Sequence, residues 1–200
     1  MQLKPFNSNK YELTDETVVH YGHILHRIRA LRSISGHDVK TGDLGGYIES
    51  EANLSQEGDC WIGDNAQVYG NAHVFGNAHV FGNARVSGGA CASGNAQVYG
   101  DAWIFGYAWV CDNVRVYNNA RVSGDAHVHG DAWVHGNAQV FGDAWVHDDV
   151  HVHGDAWVSG NAQVSDNAQV SGSAQVSGYA WVHGGACVFT GMYAEGEICN

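Results

Sequence analysis

Residues Gly70–Gly88 read GNAHVFGNAHVFGNARVSG, a six-residue phrase Gly-Asn-Ala-x-Val-x given three times with only the x positions changing. Lining up the aliphatic position and moving outward gives Ile62, Val68, Val74, Val80, Val86, Ala92, Val98, Ile104 and Val110, then steps of six to Val182 and Val188, with no insertion or deletion. Two positions before each aliphatic stands a small residue, usually Ala, with Cys60 and Val114 as variants. Strand alternation sends residues i and i+2 to one side and their neighbours to the other, so Val and the preceding Ala point inward and the residues flanking Val point out. Gly followed by Asn or Asp takes the corner, because these residues tolerate left-handed or tight backbone at low cost. A strand of about three residues and a corner, repeated every six, fits neither a hairpin nor a 3.6-residue helical period. The chain must wind.

Composition agrees with a repeat. The 27 Gly and single Pro in 200 residues would point to disorder without a period, and point to a repeat architecture with one. The start lacks the basic, apolar and small-residue pattern of a signal peptide, and no run of about 18 apolar residues is present, so we expect a soluble, cytoplasmic protein with no membrane association. Cys60, Cys91, Cys111, Cys187 and Cys199 are odd in number and scattered, without a C-x-x-C pair, and read as free thiols. The formal charge is -12, and residues 62–200 hold only Arg85, Arg115 and Arg121 against twelve acids. Such a surface repels phosphate backbones, so no direct DNA or RNA binding is expected.

The motif [VI]-x-G-[ND]-A-x, repeated this often, resembles the hexapeptide-repeat family. KYELTDET, RIRALR, GDLGGYIE and NLSQEGDCWI followed by NAQVYGNA are similar to uncharacterised phage and prophage hexapeptide-repeat proteins of the YdcK type. The resemblance implies an all-β fold, a left-handed parallel β-helix of triangular section with 18 residues per coil. The expected organisation is an N-terminal β-hairpin cap over residues 1–45, seven to eight coils over 46–190, and a tail over 191–200. Ile48 and Leu54 share the spacing, and two extra residues before Ile62 mark a bulge where the array starts. In the cap, YELT (Tyr11–Thr14), VVHYG and HILHRIRAL read as β-prone runs separated by Asp15-Glu16 and Gly22. The tail contains no amphipathic helix to close the stack, which leaves the last coil to a partner subunit.

The outward columns, sorted by adding 18, are where function would lie. One face carries His127 and His129, then Trp145 and His147, and the next face carries Trp133 and His135, then His151 and His153. These six histidines are candidate ligands for Zn²⁺ or Ni²⁺, weighed against a plain solvated or oligomer-forming surface. A third face places Arg85, Trp103 and Arg121 in one column, a cation–π ladder or a seat for a small anionic nucleotide, with Arg115 across a corner. Trp109, Trp133, Trp145, Trp181, Phe75, Phe81, Tyr99 and Tyr117 lie outside a core that accepts Val and Ala, so we expect a homo-oligomer, with a trimer first. Corner Asp residues at 64, 101, 125, 131, 143 and 155 make acidic edges, read as turn chemistry or as mimicry of nucleic-acid charge toward a host protein.

Acyl transfer is the best-known occupation of the fold, but no loop is extruded between residues 62 and 188 and only three Arg there could meet a cofactor's phosphates. No cofactor is required by the sequence. The expected function is therefore a non-catalytic scaffold or binding protein, phage or prophage encoded. The alternatives are a counter-defence protein that binds a host protein or sequesters a nucleotide signal between subunits, and an acyltransferase with a minimal site.

Overall fold

The computed structural model describes residues 9–200, and residues 1–8 of the expected cap lie outside the described residues. The chain winds into a parallel β-solenoid with three sheets, each receiving every third rung. Sheet 1 runs through Gln67–Val68, Arg85–Val86, Trp103–Ile104 and Arg121–Val122; sheet 2 through Trp61–Ile62, His79–Val80, Gln97–Val98 and Arg115–Val116; sheet 3 through His73–Val74, Cys91–Ala92, Trp109–Val110 and His127–Val128. Partners are 18 residues apart, as Trp103 opposite Arg121 and Val98 opposite Val116.

The alternation explains the interior. Every aliphatic from Ile62 to Val182 and every small residue two before it is buried, so the core is one continuous column of Val and Ala. Each buried Val side chain is worth about 1.5–3 kcal/mol relative to an exposed one. Backbone groups bond from coil to coil: Trp103, Phe105 and Tyr107 N–H donate to Ala120, Val122 and Gly124 carbonyls at 3.0, 3.0 and 2.8 Å. This pattern satisfies a buried backbone without a neighbouring layer.

Corner chemistry divides between two positions. The first of each corner has positive φ and is Gly in most coils, as Gly124 at +70°; where Gly is absent, the position holds Asp64, Asp112, Asn118, Asp148 or Asp166. These are the residues that visit the left-handed region most cheaply. At the second position, Asn side chains form ladders: Asn77 to Asn95 to Asn113 to Asp131, and Asn119 to Asn137 to Asp155, each amide donating to the next Oδ1 at 2.9–3.1 Å. Asp ends a ladder because a carboxylate accepts and cannot donate.

Three strands precede the regular coils. β1 (Tyr11–His20) pairs antiparallel with β2 (His23–Ala30), and β2 pairs antiparallel with β3 (Leu44–Ile48), which runs parallel to Gln67–Val68. The hairpin is thus the edge of sheet 1. Asp15-Glu16 does not split β1 into two runs; the strand continues through it with a register shift between Leu13 and Thr17. Gly45 and Gly46 are required by close approach, since a Cβ on either would lie 2.5 Å from the carbonyl oxygen of Ile62 or Ala66. The expected bulge is present: Ile48 pairs with Val68, and Leu54 bridges Val74, while the 3₁₀ turn Glu51–Asn53 takes up part of the first coil.

The coils extend past residue 190. Met192–Tyr193 adds to sheet 1 and Glu197–Ile198 to sheet 3, opposite Gln175–Val176 and Trp181–Val182. The stretch 191–200, read from sequence as a tail, forms ladder rungs although it departs from the hexapeptide spacing. Among the described residues, no helix is long and apolar enough to cross a membrane.

Candidate functional site

The outward faces carry the side chains left free by the repeat. On sheet 2 the residue after each aliphatic forms an aromatic column: Phe81, Tyr99, Tyr117, His135 and His153 stack in sequence at centroid spacings of 4.9, 4.9, 4.7 and 5.0 Å. The interplanar angles of these contacts are 11° or less, as expected when flat rings follow the strand spacing. Beside it runs a second column in which the Arg115 guanidinium lies 4.8 Å from the Trp133 ring and Trp133 stacks on His151 at 5.2 Å.

The aromatic column stops at Phe81 because the next position is Gly63. A Cβ there would sit in ordinary contact, 3.5 Å from both Phe81 Cβ and His79 Nε2, so the space where another ring would stack is not filled by this strand. The segment between β2 and β3, with the start of β3, walls one side of this space and makes an open pocket of about 330 Å³, lined by Phe81, His79, Trp61, His37, Asp43 and Asp64 together with Val39, Leu44 and Gly63. His37 is held by Asn77 O at 3.1 Å, and its ring lies 4.2 Å from that of His79, which in turn lies 4.4 Å from Phe81. Burial, followed by the neighbouring His37, pushes the His79 pKa down to about 4, so its imidazole is neutral at pH 7. Burial also lowers the pKa of His37. Asp43 accepts from Lys40 N–H at 2.7 Å and Asp64 accepts from Gly82 N–H at 3.0 Å, each through Oδ2.

The pocket was not found by sequence reasoning. Two signals were there: Gly63 heads a column of rings, and the first coil is two residues long for its period. The wall made by His37, Val39, Asp43 and Leu44 comes from a segment without period, which gives no clue to where it packs.

The expected sites fare differently. Arg85, Trp103 and Arg121 are in register on sheet 1, but the cation–π ladder does not form. The Trp103 indole N–H donates to Ser87 Oγ at 3.1 Å and its ring packs on Phe105 at 4.4 Å. Arg115, placed by sequence at the margin, is the guanidinium that stacks. Of the candidate metal ligands His127, His129, His147, His135, His151 and His153, none joins a group of three donors within reach of one another among the described residues. His129 and His147 stack face to face at 5.2 Å, as do His135 and His153 at 5.0 Å, and His147 Nδ1 is engaged by Asp148 Oδ2 at 2.7 Å. Burial and the stacked neighbour hold the His129 and His135 pKa values below normal.

The aromatic surface also divides. Trp109, Trp145 and Trp181 on sheet 3 are 50%, 47% and 43% exposed, and Phe75 is exposed on the same sheet, whereas Trp133, Phe81, Tyr99 and Tyr117 are half-buried in their own columns. The corner carboxylates do not form rows. Asn, Ser, Gly and Tyr interrupt them, so that at most two follow each other, as Asp125 with Asp143.

Comparison with protein families agrees with the ladders. The family model described as YdcK beta solenoid repeat matches residues 66–82, 96–112, 114–130 and 162–178. Each match is about one coil long, and their starts are spaced by multiples of six residues. No curated protein matches the chain significantly. The chain is a parallel β-solenoid of 18-residue coils, and over these four segments it is similar to the YdcK beta solenoid repeat.

Proposed function

We propose that the chain is a non-catalytic binding scaffold, acting as a homo-oligomer, and that the pocket beneath Phe81 receives a flat ring. The observation that carries this reading is the interrupted aromatic column: four successive stacking contacts end on a ring whose next partner is missing at Gly63. Trp61 and the neutral His79 supply an apolar edge, and the carboxylates of Asp43 and Asp64 favour a neutral or cationic heterocycle with N–H donors over an anionic one. Oligomerisation is supported by the strip of Trp109, Trp145 and Trp181 on sheet 3, an apolar edge of the kind that one protomer covers on another.

Native mass spectrometry of the purified protein gives oligomeric state and retained ligand together, and saturation-transfer NMR with adenosine and with AMP as probes reads the pocket directly. The expected results are an oligomer and adenosine binding that exceeds AMP binding. Gly63→Phe completes the column and should abolish adenosine binding while leaving the oligomer intact. A monomer would overturn the oligomer, and adenosine binding that is absent or indifferent to Gly63→Phe would overturn the pocket assignment.

A further inference from the structure

The last coil brings together three side chains of metal-binding chemistry that the repeat does not require. His183 follows Val182 on sheet 3, and the strand Glu197–Ile198 stacks on Trp181–Val182 with Val182 opposite Ile198. This coil is two residues shorter than the others, and the irregular spacing sets Glu197 and Cys199 beside His183. A His nitrogen, a Glu carboxylate oxygen and the Cys199 sulfur all lie within 4.8 Å of one another, and they are the one such group among the described residues. His183 Nε2 is already 2.7 Å from Glu197 Oε1.

The imidazole is also supported from behind. Its ring stacks on Trp181 at 4.2 Å, and Trp181 is fixed by a hydrogen bond from Nε1 to Ser165 Oγ at 3.2 Å. Nδ1 faces Asp166 Oδ2 at 3.8 Å, and that carboxylate is anchored by Gly184 N–H at 3.0 Å. A carboxylate behind the non-ligating nitrogen is the usual outer partner of a metal-bound histidine, because it orients the ring and strengthens the donor.

We propose that His183 Nε2, Glu197 and Cys199 form a Zn²⁺ site. Imidazole, carboxylate and thiolate together suit zinc, whose bonds of about 2.0–2.3 Å to these donors require donor pairs roughly 3–4 Å apart. With the three donors within 4.8 Å of one another, side-chain shifts of about 1 Å bring them into that range. Water completes the tetrahedron, as the site faces solvent. The ion ties the last rung of sheet 3 to the rung before it, which the irregular coil otherwise holds through only a short ladder. The stacked histidines of sheets 2 and 3 lack both the convergence and the mixed donor set.

Cobalt substitution tests the site on the full chain. One equivalent of Co²⁺ is expected to give tetrahedral d–d bands in the visible and a thiolate-to-cobalt charge-transfer band, both removed by competing Zn²⁺. Cys199→Ser should abolish the charge-transfer band, His183→Gln should abolish stoichiometric binding, and Asp166→Asn should weaken binding about 10–100-fold. Glu195→Gln, a neighbouring acid outside the donor group, should change nothing. Hydrogen exchange at Glu197–Ile198 should slow when Zn²⁺ is added to wild type and remain unchanged in Cys199→Ser. Absence of a charge-transfer band at one equivalent, or undiminished binding in Cys199→Ser or His183→Gln, would overturn the assignment.

Discussion

The two ends of the solenoid are built from the same period and finished in opposite ways. At the N-terminal end, Lys10, Tyr11, Ile28, Ala30 and Ile34 are fully or almost fully buried against the first coils. Lys10 closes the opening: Nζ donates to Cys60 O at 2.7 Å, Cys60 Sγ at 3.0 Å and Glu57 O at 3.3 Å, while Tyr11 Oη donates to Leu54 O at 2.7 Å. At the other end, Tyr179, Phe189 and Met192 are 76%, 58% and 78% exposed, and the final rungs leave the six-residue spacing. A repeat propagates itself but cannot supply its own end, so each end needs a device the period does not encode.

Deleting residues 1–45 should have the largest effect. It strips cover from Trp61, Leu54 and Cys60, and the expected result is loss of soluble folded protein, whereas deleting 190–200 should leave a cooperative melt by circular dichroism. Equal damage from both deletions would erase the contrast between the ends. Next in size, Lys10→Met removes the ammonium that donates to the Cys60 and Glu57 carbonyls, and denaturant titration should show a loss of about 1–3 kcal/mol. Burial lowers the pKa of Lys10.

A pH series sharpens the same comparison, because the histidines held neutral by burial include His37 and His79 at the capped end. The unfolded chain binds protons at the ordinary histidine pKa, near 6.5, while folded His79 resists until about 4. Its contribution is therefore intact above pH 6.5 and falls away as pH drops from there to about 4. Melting temperatures of wild type and His79→Gln should differ most in that window, with the wild type showing the steeper decline; parallel curves would contradict it. The smallest effect belongs to the corners: Asn137→Ala breaks the ladder from Asn119 to Asp155 and should cost about 0.5–1.5 kcal/mol, near the lower limit because the site is exposed.

What could be read from sequence follows the same division. The positions of Val and Ala gave the rung count and the burial of the core, because a period of six leaves one consistent inside, while the three-way sorting of columns came from the resemblance to hexapeptide-repeat proteins. The columns placed Trp145 above His127 and His151 above Trp133 correctly. Register does not determine rotamers, so the Arg85–Trp103–Arg121 stack was lost to a hydrogen bond with Ser87 that neighbours in the column cannot foretell. Nor does it reach non-periodic segments. Lys10 as a buried plug, His37 over His79, and Glu197 with Cys199 beside His183 all depend on where irregular chain returns to the solenoid.

The regular six-residue spacing also gives the surface a reading frame. Inserting or deleting 18 residues adds or removes one coil and keeps every column on its sheet. A change of six leaves the core equally content, since Val still follows Val inside, yet it moves every downstream outward side chain to the next sheet. The rings of Tyr117, His135 and His153 would then no longer continue those of Phe81 and Tyr99. For stability such an indel is nearly silent, and for recognition it is a frameshift.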